Sequence, residues 1–417
     1  MTLLIISPDF ASHYFPLSVL ARAGRAGGHR VVVATGHELR ARVEADGFQW
    51  ERLILGAGSN SGTAAVDPSM AAFLAATRVG PLATLHHQAR ARAHDLLWRP
   101  EAVAEQVAQL HTRLQPDTVV VDHVSFGSTL GAYATGQPFI TLVPGHPSQL
   151  PVGSERYGIP PHWPARLRPD PVALAELEAV TDHVTASFTD VWNAALAAVA
   201  PDRPSVADAF RVHGHRVLYH GSRRHHHPHR CADLPPDHRF VGPLLRLEAP
   251  PDHLHPWFEA DDGRPRVYVA LGTFLSHRSD VLARIAEALR PTGARVALAV
   301  GATPVAALGP LPDHWLVGRH LPQIALLSVA DLAITHGGNN SVQEALAAGT
   351  RQLVLPFSTD QFATAADLER TGMATVRSPN DTGPAELADI IMASLAQPRP
   401  EPITPAAPED LLDALVA

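Results

Sequence analysis

The sequence predicts an α/β protein with two parallel-sheet domains that face each other across a cleft. Short apolar runs alternate with amphipathic helical stretches, and this alternation stops at a proline-rich segment near residue 250 and then restarts. A short apolar run bounded by turn residues is typical of a strand that helices cover on both faces. The chain has 417 residues, of which 46% are hydrophobic, so its size and apolar content suit two such domains.

The first domain is predicted over residues 1–245 and begins with a strand–helix–strand unit. An apolar run at 3–7 is followed by a helical stretch at 15–25, two glycines that end the helix, and a second run at 29–34. Such a unit joins two parallel strands through a covering helix. Later strands are predicted at 118–121, 139–143 and 216–219, and later helices at 101–114 and 172–180.

A linker is predicted over residues 246–264, where prolines interrupt the alternation. The second domain, residues 265–400, then repeats the α/β pattern. Residues 401–417 form a tail that is predicted to end in a short closing helix. Two linked α/β domains predict a ligand cleft at the carboxyl ends of their strands. The strands of the second domain are predicted at 266–271, 295–300, 330–334, 352–355 and 374–376, with a helix at 280–290.

Charge and residue usage exclude several classes of function. The net charge is −8, so we expect no nucleic-acid partner and no anionic membrane surface. The chain has no lysine, which excludes Schiff-base chemistry and a lysine-containing phosphate loop. The single cysteine, Cys231, leaves no intramolecular disulfide and no cysteine-rich zinc cluster. No apolar run reaches the ~18 residues of a membrane span, and no basic region precedes the first run, so the expected location is the cytoplasm.

Residues 335–346, with the sequence THGGNNSVQEAL, carry the clearest functional signal. They follow a predicted strand, pass through two glycines and open a helix. The free amides at such a helix end bind anions such as phosphate. A structural interpretation stands beside this one, because Ser341 and Glu344 have the spacing of a capping box. His336 favours the anion site, since a histidine between an apolar strand and two glycines has no evident structural role.

The stretch 315–376 resembles the donor-binding signature of the nucleotide-sugar-dependent glycosyltransferases of the plant and antibiotic-biosynthesis type. Weaker similarity is visible at 271–273 and 12–29, and most of 40–260 is similar only in layout. The resemblance implies the GT-B fold, in which two Rossmann-like domains face each other across a cleft. The matching elements, in the family's order and spacing, are Pro322-Gln323, His336-Gly337-Gly338, Asn340-Ser341, Glu344, Pro356 and Asp360-Gln361.

The resemblance implies a role for each matching residue on the donor side. His320 stands where plant members have a tryptophan that stacks on uracil, so both UDP- and TDP-sugars stay open as donors. His320 and Asn339, which replaces a second tryptophan, favour the bacterial natural-product or macrolide branch. The implied contacts are Thr273 and His336 with the β-phosphate, Asn340 and Ser341 after Gly338 with the α-phosphate, Glu344 with the ribose, Asp360 and Gln361 with the sugar, and Gln323 and the Leu321 backbone with the base.

The resemblance also implies that His13 is the general base and that Asp122 orients it. His13 follows the first strand, just before a helix whose N-terminus should keep the imidazole neutral. Asp122 ends the run 118–121, at the same rim of a parallel sheet, and would stabilise the charged ring. From the residues alone, the two positions are more often an exposed loop histidine and a turn or cap aspartate. The implied reaction is an inverting displacement of the nucleoside diphosphate that needs no metal and no cofactor.

The acceptor is less defined by the sequence. The Gly-, Ser- and Pro-rich segments 56–68 and 144–169 are predicted to be long loops that wall the acceptor pocket. Phe15, Phe126, His146 and Tyr157 are candidate acceptor contacts, with ordinary packing as the alternative for each. The resemblance implies transfer of a hexose or deoxyhexose to a hydroxyl of a hydrophobic natural product. We expect the two domains to close around the substrates, and a homodimer is compatible with these features.

Other functions remain as alternatives. The segment 213–238 contains eight histidines, which could bind a transition metal, although no acidic cluster accompanies them in the sequence. A sugar-nucleotide epimerase of the GT-B fold would share the diphosphate site. A catalytically silent activator subunit would lack the base or the donor motif, and this chain has both.

Overall fold

The computed structural model describes residues 1–56, 68–246, 248, 251–260 and 262–416. Most of the predicted loop 56–68 and part of the predicted linker therefore lie outside the described residues. The described part forms two α/β domains, as predicted. In the first domain the strands are Thr2–Ile6 (β1), Arg30–Thr35 (β2), Gln49–Arg52 (β3), Thr118–Asp122 (β4), Ile140–Val143 (β5), Arg216–Tyr219 (β6) and His238–Phe240 (β7). Its helices are Ala11–Ala26 (α1), Arg40–Ala45 (α2), Pro68–Val79 (α3), Pro81–Asp95 (α4), Pro100–Leu114 (α5), Phe126–Thr135 (α6), Pro171–Val199 (α7) and Pro228–Ala232 (α8).

A short helix, His255–Glu259 (α9), precedes the second domain. The strands of that domain are Arg266–Ala270 (β8), Arg295–Ala299 (β9), Leu316–Gly318 (β10), Leu332–Thr335 (β11), Arg351–Val354 (β12) and Ala374–Val376 (β13). The helices are Gly272–Leu275 (α10), Ser279–Leu289 (α11), Gln323–Val329 (α12), Asn339–Ala348 (α13), Gln361–Arg370 (α14), Pro384–Leu395 (α15) and Pro408–Val416 (α16). Among the described residues, no helix combines the length and the apolarity that a bilayer crossing requires.

Both sheets are parallel throughout and share one topology. The first has the strand order β3-β2-β1-β4-β5-β6-β7 and the second the order β10-β9-β8-β11-β12-β13. In each sheet the order in which strands are added reverses between the first and the fourth strand. These neighbouring strands are β1 and β4 in the first sheet and β8 and β11 in the second. Ligands bind at this point in open α/β sheets, outside the carboxyl ends of the strands. The predicted pair of Rossmann-like domains is thereby confirmed.

Helices cover both faces of the first sheet because alternate residues of each strand point in opposite directions. Leu3 and Ile5 of β1 pack with Leu17 and Leu20 of α1. Leu4 and Ile6 of the same strand belong to the cluster on the other face, with side chains of α5. The central strands are therefore apolar on both sides, which is why they read as continuous apolar runs in the sequence.

Several elements differ from the predictions. β3, β7 and β10 were not predicted, because each is only three or four residues long and lies near or at an edge of its sheet. Helices α3 and α4 were also missed, and the helix predicted at 172–180 extends from Pro171 to Val199. Asp170 caps this long helix by accepting hydrogen bonds from the backbone of Val172 and Ala173. The segment 144–169 is a long loop with only short 3₁₀ turns, as predicted.

Two elements pack on the domain to which they do not belong in sequence. The C-terminal helix α16 returns to α1 of the first domain, and Arg216 donates a hydrogen bond from Nη1 to the carbonyl of Ala414 at 2.7 Å. Helix α3 reaches the second domain, where the buried Arg278 donates to Thr77 Oγ1 at 3.1 Å. Asn380 also donates to the carbonyl of Thr77, at 2.9 Å. The two domains are thus joined on both sides of the cleft.

Candidate active site

A cavity of about 740 Å³ lies between the domains, at the carboxyl ends of both sheets. It brings together residues that are far apart in sequence, and most of the predicted site residues line it. The predicted residues that line it are His13, Phe15, Tyr157, Thr273, His320, Leu321, Gln323, His336, Gly338, Asn340, Ser341, Glu344, Asp360 and Gln361. Asp122, Phe126 and His146 do not line it.

His13 and Asp122 form a hydrogen-bonded pair on the first-domain wall. His13 lies in the first turn of α1, two residues after its start, and not in the loop before the helix. Its Nδ1 bonds to Asp122 Oδ2 at 2.9 Å. Asp122 ends β4, is fully buried, and accepts a second hydrogen bond from the backbone N–H of Val124 at 3.0 Å. Asp122 therefore influences the cavity through its hydrogen bond to His13 Nδ1. The other ring nitrogen, Nε2, takes no part in that bond.

The net electrostatic effect on His13 differs from the expectation of a helix end that keeps the ring neutral. Burial lowers the pKa of His13, but the charge and hydrogen bond of Asp122 outweigh it and hold the pKa above its ordinary value of 6.5. The nearby carboxylate thus dominates over the helix N-terminus. The Asp122 carboxylate therefore stabilises the protonated, imidazolium form of His13.

His336 lies on the opposite wall, just after β11, between two glycines. A Cβ on Gly338 would lie 2.5 Å from its Nε2, and a Cβ on Gly272 would lie 2.7 Å from its Cε1. Gly272 also has a φ of +70°, a conformation that favours glycine. Burial lowers the pKa of His336 to about 4, against the opposing charge of Asp360. Its Nδ1 is buried and has no hydrogen-bond partner among the described residues.

The N-terminus of α13 opens into the cavity beside His336. The helix begins at Asn339, and Gly338 is its N-cap, without a side-chain capping bond. The capping-box interpretation of Ser341 and Glu344 is therefore wrong. Both side chains instead meet Gln323 of α12, which donates from Nε2 to Ser341 Oγ at 3.1 Å and to the Glu344 carboxylate. The free amides of the first turn are left for an anion.

An arginine that sequence reasoning missed reaches the same cluster from the end of the first domain. Arg246 donates to the Glu344 carboxylate and also to Glu248 at 3.1 Å. Burial raises the pKa of Glu344, and the charge of Arg246 opposes that rise. The Arg246 guanidinium carbon lies 4.4 Å from the centre of the Phe15 ring, so it bridges the two domains. An isolated arginine in a proline-rich segment gave no signal that could have identified it.

The loop before α14 positions Asp360 and Gln361 at the cavity. Asp360 Oδ2 accepts a hydrogen bond from the backbone N–H of His146, in the first domain, at 2.8 Å. Gln361 turns its amide oxygen toward its own loop, where it accepts from the backbone of Phe357 at 2.9 Å and of Ser358 at 3.2 Å. The other oxygen of Asp360, Oδ1, accepts from the Thr359 hydroxyl at 3.0 Å. Both residues line the cavity, with part of their hydrogen-bonding capacity used by the protein.

Two predicted acceptor contacts need correction. Phe126 is 1% exposed and packs edge-to-face on Phe188 and Phe210, with ring centres 5.3 Å apart in both pairs. It is a core residue, because its position in the first turn of α6 turns it away from the cavity. His146 is 3% exposed and points its ring away from the cavity toward Asp367. Phe15 and Tyr157 do line the cavity, and Tyr157 stacks on Phe210 at 4.2 Å.

The histidine-rich segment forms part of the contact between the domains. His226 Nδ1 and His146 Nε2 both donate to Asp367 Oδ2 of the second domain, each at 3.0 Å. Burial lowers the pKa of His226 to about 4. The sequence shows no paired acidic cluster in this segment, and in the structure a single carboxylate of the second domain, Asp367, joins His226. A second group, His213, Asp237 and His238, also has ligand atoms within 4.8 Å of one another.

Residues 222–390 match the family model described as UDP-glucoronosyl and UDP-glucosyl transferase. The chain is 32% identical over 160 residues to the NDP-glycosyltransferase YjiC of Bacillus licheniformis, an alignment that covers 38% of this chain and 40% of that protein. It is 28% identical over 315 residues to the demethyllactenocin mycarosyltransferase of Streptomyces fradiae, covering 73% of this chain and 62% of that one. The aligned parts thus span less than two thirds of either relative.

Solved structures share the fold over nearly the whole chain. The glycotransferase of kitacinnamycin superposes with a TM-score of 0.71 at 20% identity, covering 100% of this chain and 95% of that one. The glycosyltransferase VinC, solved in complex with DTDP, superposes with a TM-score of 0.65 at 19% identity, covering 99% and 95%. These likenesses establish the architecture of two facing domains that the strand order already indicates.

Proposed function

We propose that this chain is a glycosyltransferase acting on a natural product, since it has the GT-B fold and its residues 222–390 match the UDP-glucoronosyl and UDP-glucosyl transferase family model. It moves a hexose or deoxyhexose from a UDP- or TDP-sugar to a hydroxyl group of a hydrophobic small molecule, with inversion at the anomeric carbon. His13 is the general base. One observation carries the proposal: a histidine that is hydrogen-bonded to a buried aspartate faces an open helix N-terminus of the other domain across the same cavity.

The acceptor side removes a proton in this proposal. Asp122 accepts the hydrogen bond from His13 Nδ1–H, which leaves Nε2 with its lone pair. The acceptor hydroxyl gives its proton to Nε2 as its oxygen forms a bond to the anomeric carbon. The bond between that carbon and the β-phosphate oxygen breaks, and its electron pair leaves with the nucleoside diphosphate. Asp122 stabilises the imidazolium that results.

The donor side receives the developing negative charge. The free amides at the start of α13, the hydroxyl of Thr273 and an imidazole N–H of His336 offer hydrogen bonds to the diphosphate. His336 is neutral in the free protein, because its pKa is about 4. We propose that these groups suffice without a metal or a cofactor.

The other proposed donor contacts are residues that line the cavity beyond the diphosphate. Glu344, Gln323 and Ser341 form one hydrogen-bonded cluster at the position proposed for the ribose and base. His320 is exposed at the cavity rim, where its ring is available for stacking on a pyrimidine. Support for a TDP-sugar comes from VinC, and support for a natural-product acceptor comes from the names of the relatives. Asp360 is proposed to bind a hydroxyl of the transferred sugar.

Replacing His13 with Ala tests the proposal. Transfer should fall about 10²- to 10⁴-fold, the usual contribution of a general base, while the affinity for UDP and TDP should stay within a few-fold of wild type. His37→Ala is the control, because His37 is an exposed histidine of the same domain that does not line the cavity. Transfer would be followed by chromatography with several phenolic and macrolide acceptors, and nucleotide binding by calorimetry.

Unchanged transfer in His13→Ala would remove His13 as the base. A sugar nucleotide that is rearranged by the wild-type protein in the absence of any acceptor would instead indicate an epimerase.

A further inference from the structure

The first-domain wall of the cavity contains a buried cation, Arg92, on helix α4. It is 8% exposed and lines the cavity. Burial lowers the pKa of Arg92, and among the described residues no carboxylate offsets that effect. Arg92 is therefore a charge held in a low-dielectric place without a counter-ion in the described protein.

The protein is built closely around this guanidinium. Arg92 Nη1 donates to the carbonyl oxygen of Tyr157 at 3.0 Å, and its guanidinium carbon lies 4.8 Å from the centre of the Tyr157 ring. Gly158 has a φ of +79°, and a Cβ there would lie 2.0 Å from both Nη atoms. Only glycine allows the loop to approach the head group this closely. The loop thus fixes the orientation of the guanidinium.

Among the described residues Arg92 makes one hydrogen bond, from Nη1 to Tyr157, and its side chain lines the cavity. No nitrogen of Arg92 is both fully enclosed and without a hydrogen-bond partner among the described residues. A buried charge without a partner costs free energy, and that cost is recovered when an anion binds. The planar fork of arginine matches the two oxygens of a carboxylate. Phe73, Leu96 and Ile159 surround this part of the cavity with apolar surface.

We propose that Arg92 binds a carboxylate of the substrate and that the natural acceptor is a hydrophobic hydroxy acid. This inference rests on the proposed function and names the substrate class for the same cavity. The Tyr157 ring, which packs against Arg92, lies 6.0 Å from the ring of His123, the residue after Asp122. His13 and Arg92 line the same cavity, so one acceptor can present its hydroxyl to His13 and its carboxylate to Arg92.

A uronic acid donor would present the same carboxylate chemistry. The acceptor is favoured because Arg92, Tyr157 and Gly158 all belong to the first domain, whereas the donor motif belongs to the second. The two sources are separable in one experiment, since the carboxylate can be varied on the acceptor and on the sugar independently.

The test uses 6-hydroxy-2-naphthoic acid and its methyl ester as acceptors, each with UDP-glucose and with UDP-glucuronic acid. Arg92→Met keeps an unbranched stem of similar bulk and removes the charged head group, and Arg90→Met on the exposed face of the same helix is the control. In Arg92→Met, the ratio of kcat/KM for the acid over the ester should fall about 10- to 100-fold, the range for a charge-assisted bidentate contact. Arg90→Met should leave the ratio unchanged.

Direct binding keeps this inference separate from the proposed function. Calorimetry of the naphthoic acid in the absence of any sugar nucleotide should show the same loss in Arg92→Met, even if the wild-type protein transfers no sugar to it. Arg92→Lys, which keeps the charge but loses the fork, should give an intermediate loss. An equal loss for acid and ester would reduce Arg92 to a support for the loop at Tyr157. A loss that follows UDP-glucuronic acid instead would place the carboxylate on the sugar and overturn the acceptor assignment.

Discussion

His13 and His336 lie on opposite walls of the cavity, each beside the reversal of strand order in its own sheet, yet their chemistry is opposite. Each follows a strand beside the point where the strand order reverses, β1 next to β4 in the first sheet and β11 next to β8 in the second. The neighbouring strand ends in Asp122 in one sheet and leads to Gly272 in the other. The carboxylate holds the pKa of His13 above 6.5, while burial between glycines lowers that of His336 to about 4.

Each histidine thus lies beside the carboxyl end of a neighbouring strand, and the residue there decides what the histidine can do. A carboxylate neighbour makes a base whose charged form is stabilised. A glycine neighbour leaves space for a neutral imidazole ring, which can donate a hydrogen bond but carries no net charge. Changing the neighbour, rather than the histidine, therefore tests the comparison.

The largest effect is expected for Asp122→Asn, which should reduce transfer about 10²- to 10⁴-fold at neutral pH. The asparagine amide can present its NH₂ group to Nδ1, which would move the ring proton to Nε2 and remove the basic lone pair. Affinity for UDP should be unchanged, because His336 and the start of α13 are untouched. Steady-state transfer rates and calorimetric affinities measure the two quantities.

The pH profile of the same variant sharpens this prediction. A base must be neutral to accept a proton, so kcat/KM falls as the pH drops through the pKa of His13. In the wild type that acid limb should lie above pH 6.5, because the Asp122 carboxylate raises the pKa. In Asp122→Asn the carboxylate is gone while burial remains, so any residual activity should show its acid limb at lower pH. A limb that stays in place would mean that Asp122 does not control the titration.

On the donor side, Gly338→Ala should weaken binding of UDP and TDP about 5- to 150-fold, the equivalent of ~1–3 kcal/mol of overpacking. The added Cβ would lie 2.5 Å from His336 Nε2, whereas the Gly338 φ of −63° is ordinary for alanine, so the effect is steric and confined to the ring. Gly383→Ala is the matched control, because nothing lies within 4 Å of a Cβ there and its φ is −78°. Unchanged nucleotide affinity would show that the placement of His336 does not matter for the donor.

The two halves of the site also differ in how much the sequence predicts. His336, Asn340, Ser341 and Glu344 lie within nine residues, on one strand, turn and helix, so their motif is visible as a unit. Local hydrogen bonding and helix geometry place them together whatever the rest of the chain does. The capping interpretation failed there because Gly338, with no side chain, occupies the N-cap.

The acceptor half is assembled from distant segments, and sequence patterns predict it less well. Arg92 and Arg246 have no local signal, since their roles depend on the loop at Tyr157 and on Glu344 across the cleft. Phe126 and His146 looked like pocket residues because they follow strands, but packing turned both away. The strands themselves were predictable where both faces are buried, and short edge strands such as β10 were not.

The smallest effect is expected for Asn340→Ala, which tests whether the two histidine regions act separately. Asn340 donates from Nδ2 to the carbonyl of Ser12 at 2.7 Å, so it links the helix after His336 to the residue before His13. One neutral hydrogen bond contributes about 0.5–1.5 kcal/mol, so kcat/KM should fall about 2- to 12-fold. Arg166→Met is the control, because its ion pair with Glu386 also joins the domains, at 3.2 Å, but is exposed and away from the cavity. An equal loss in the control would assign the effect to domain docking in general, whereas a loss confined to Asn340 would mean that the donor helix helps to position the base.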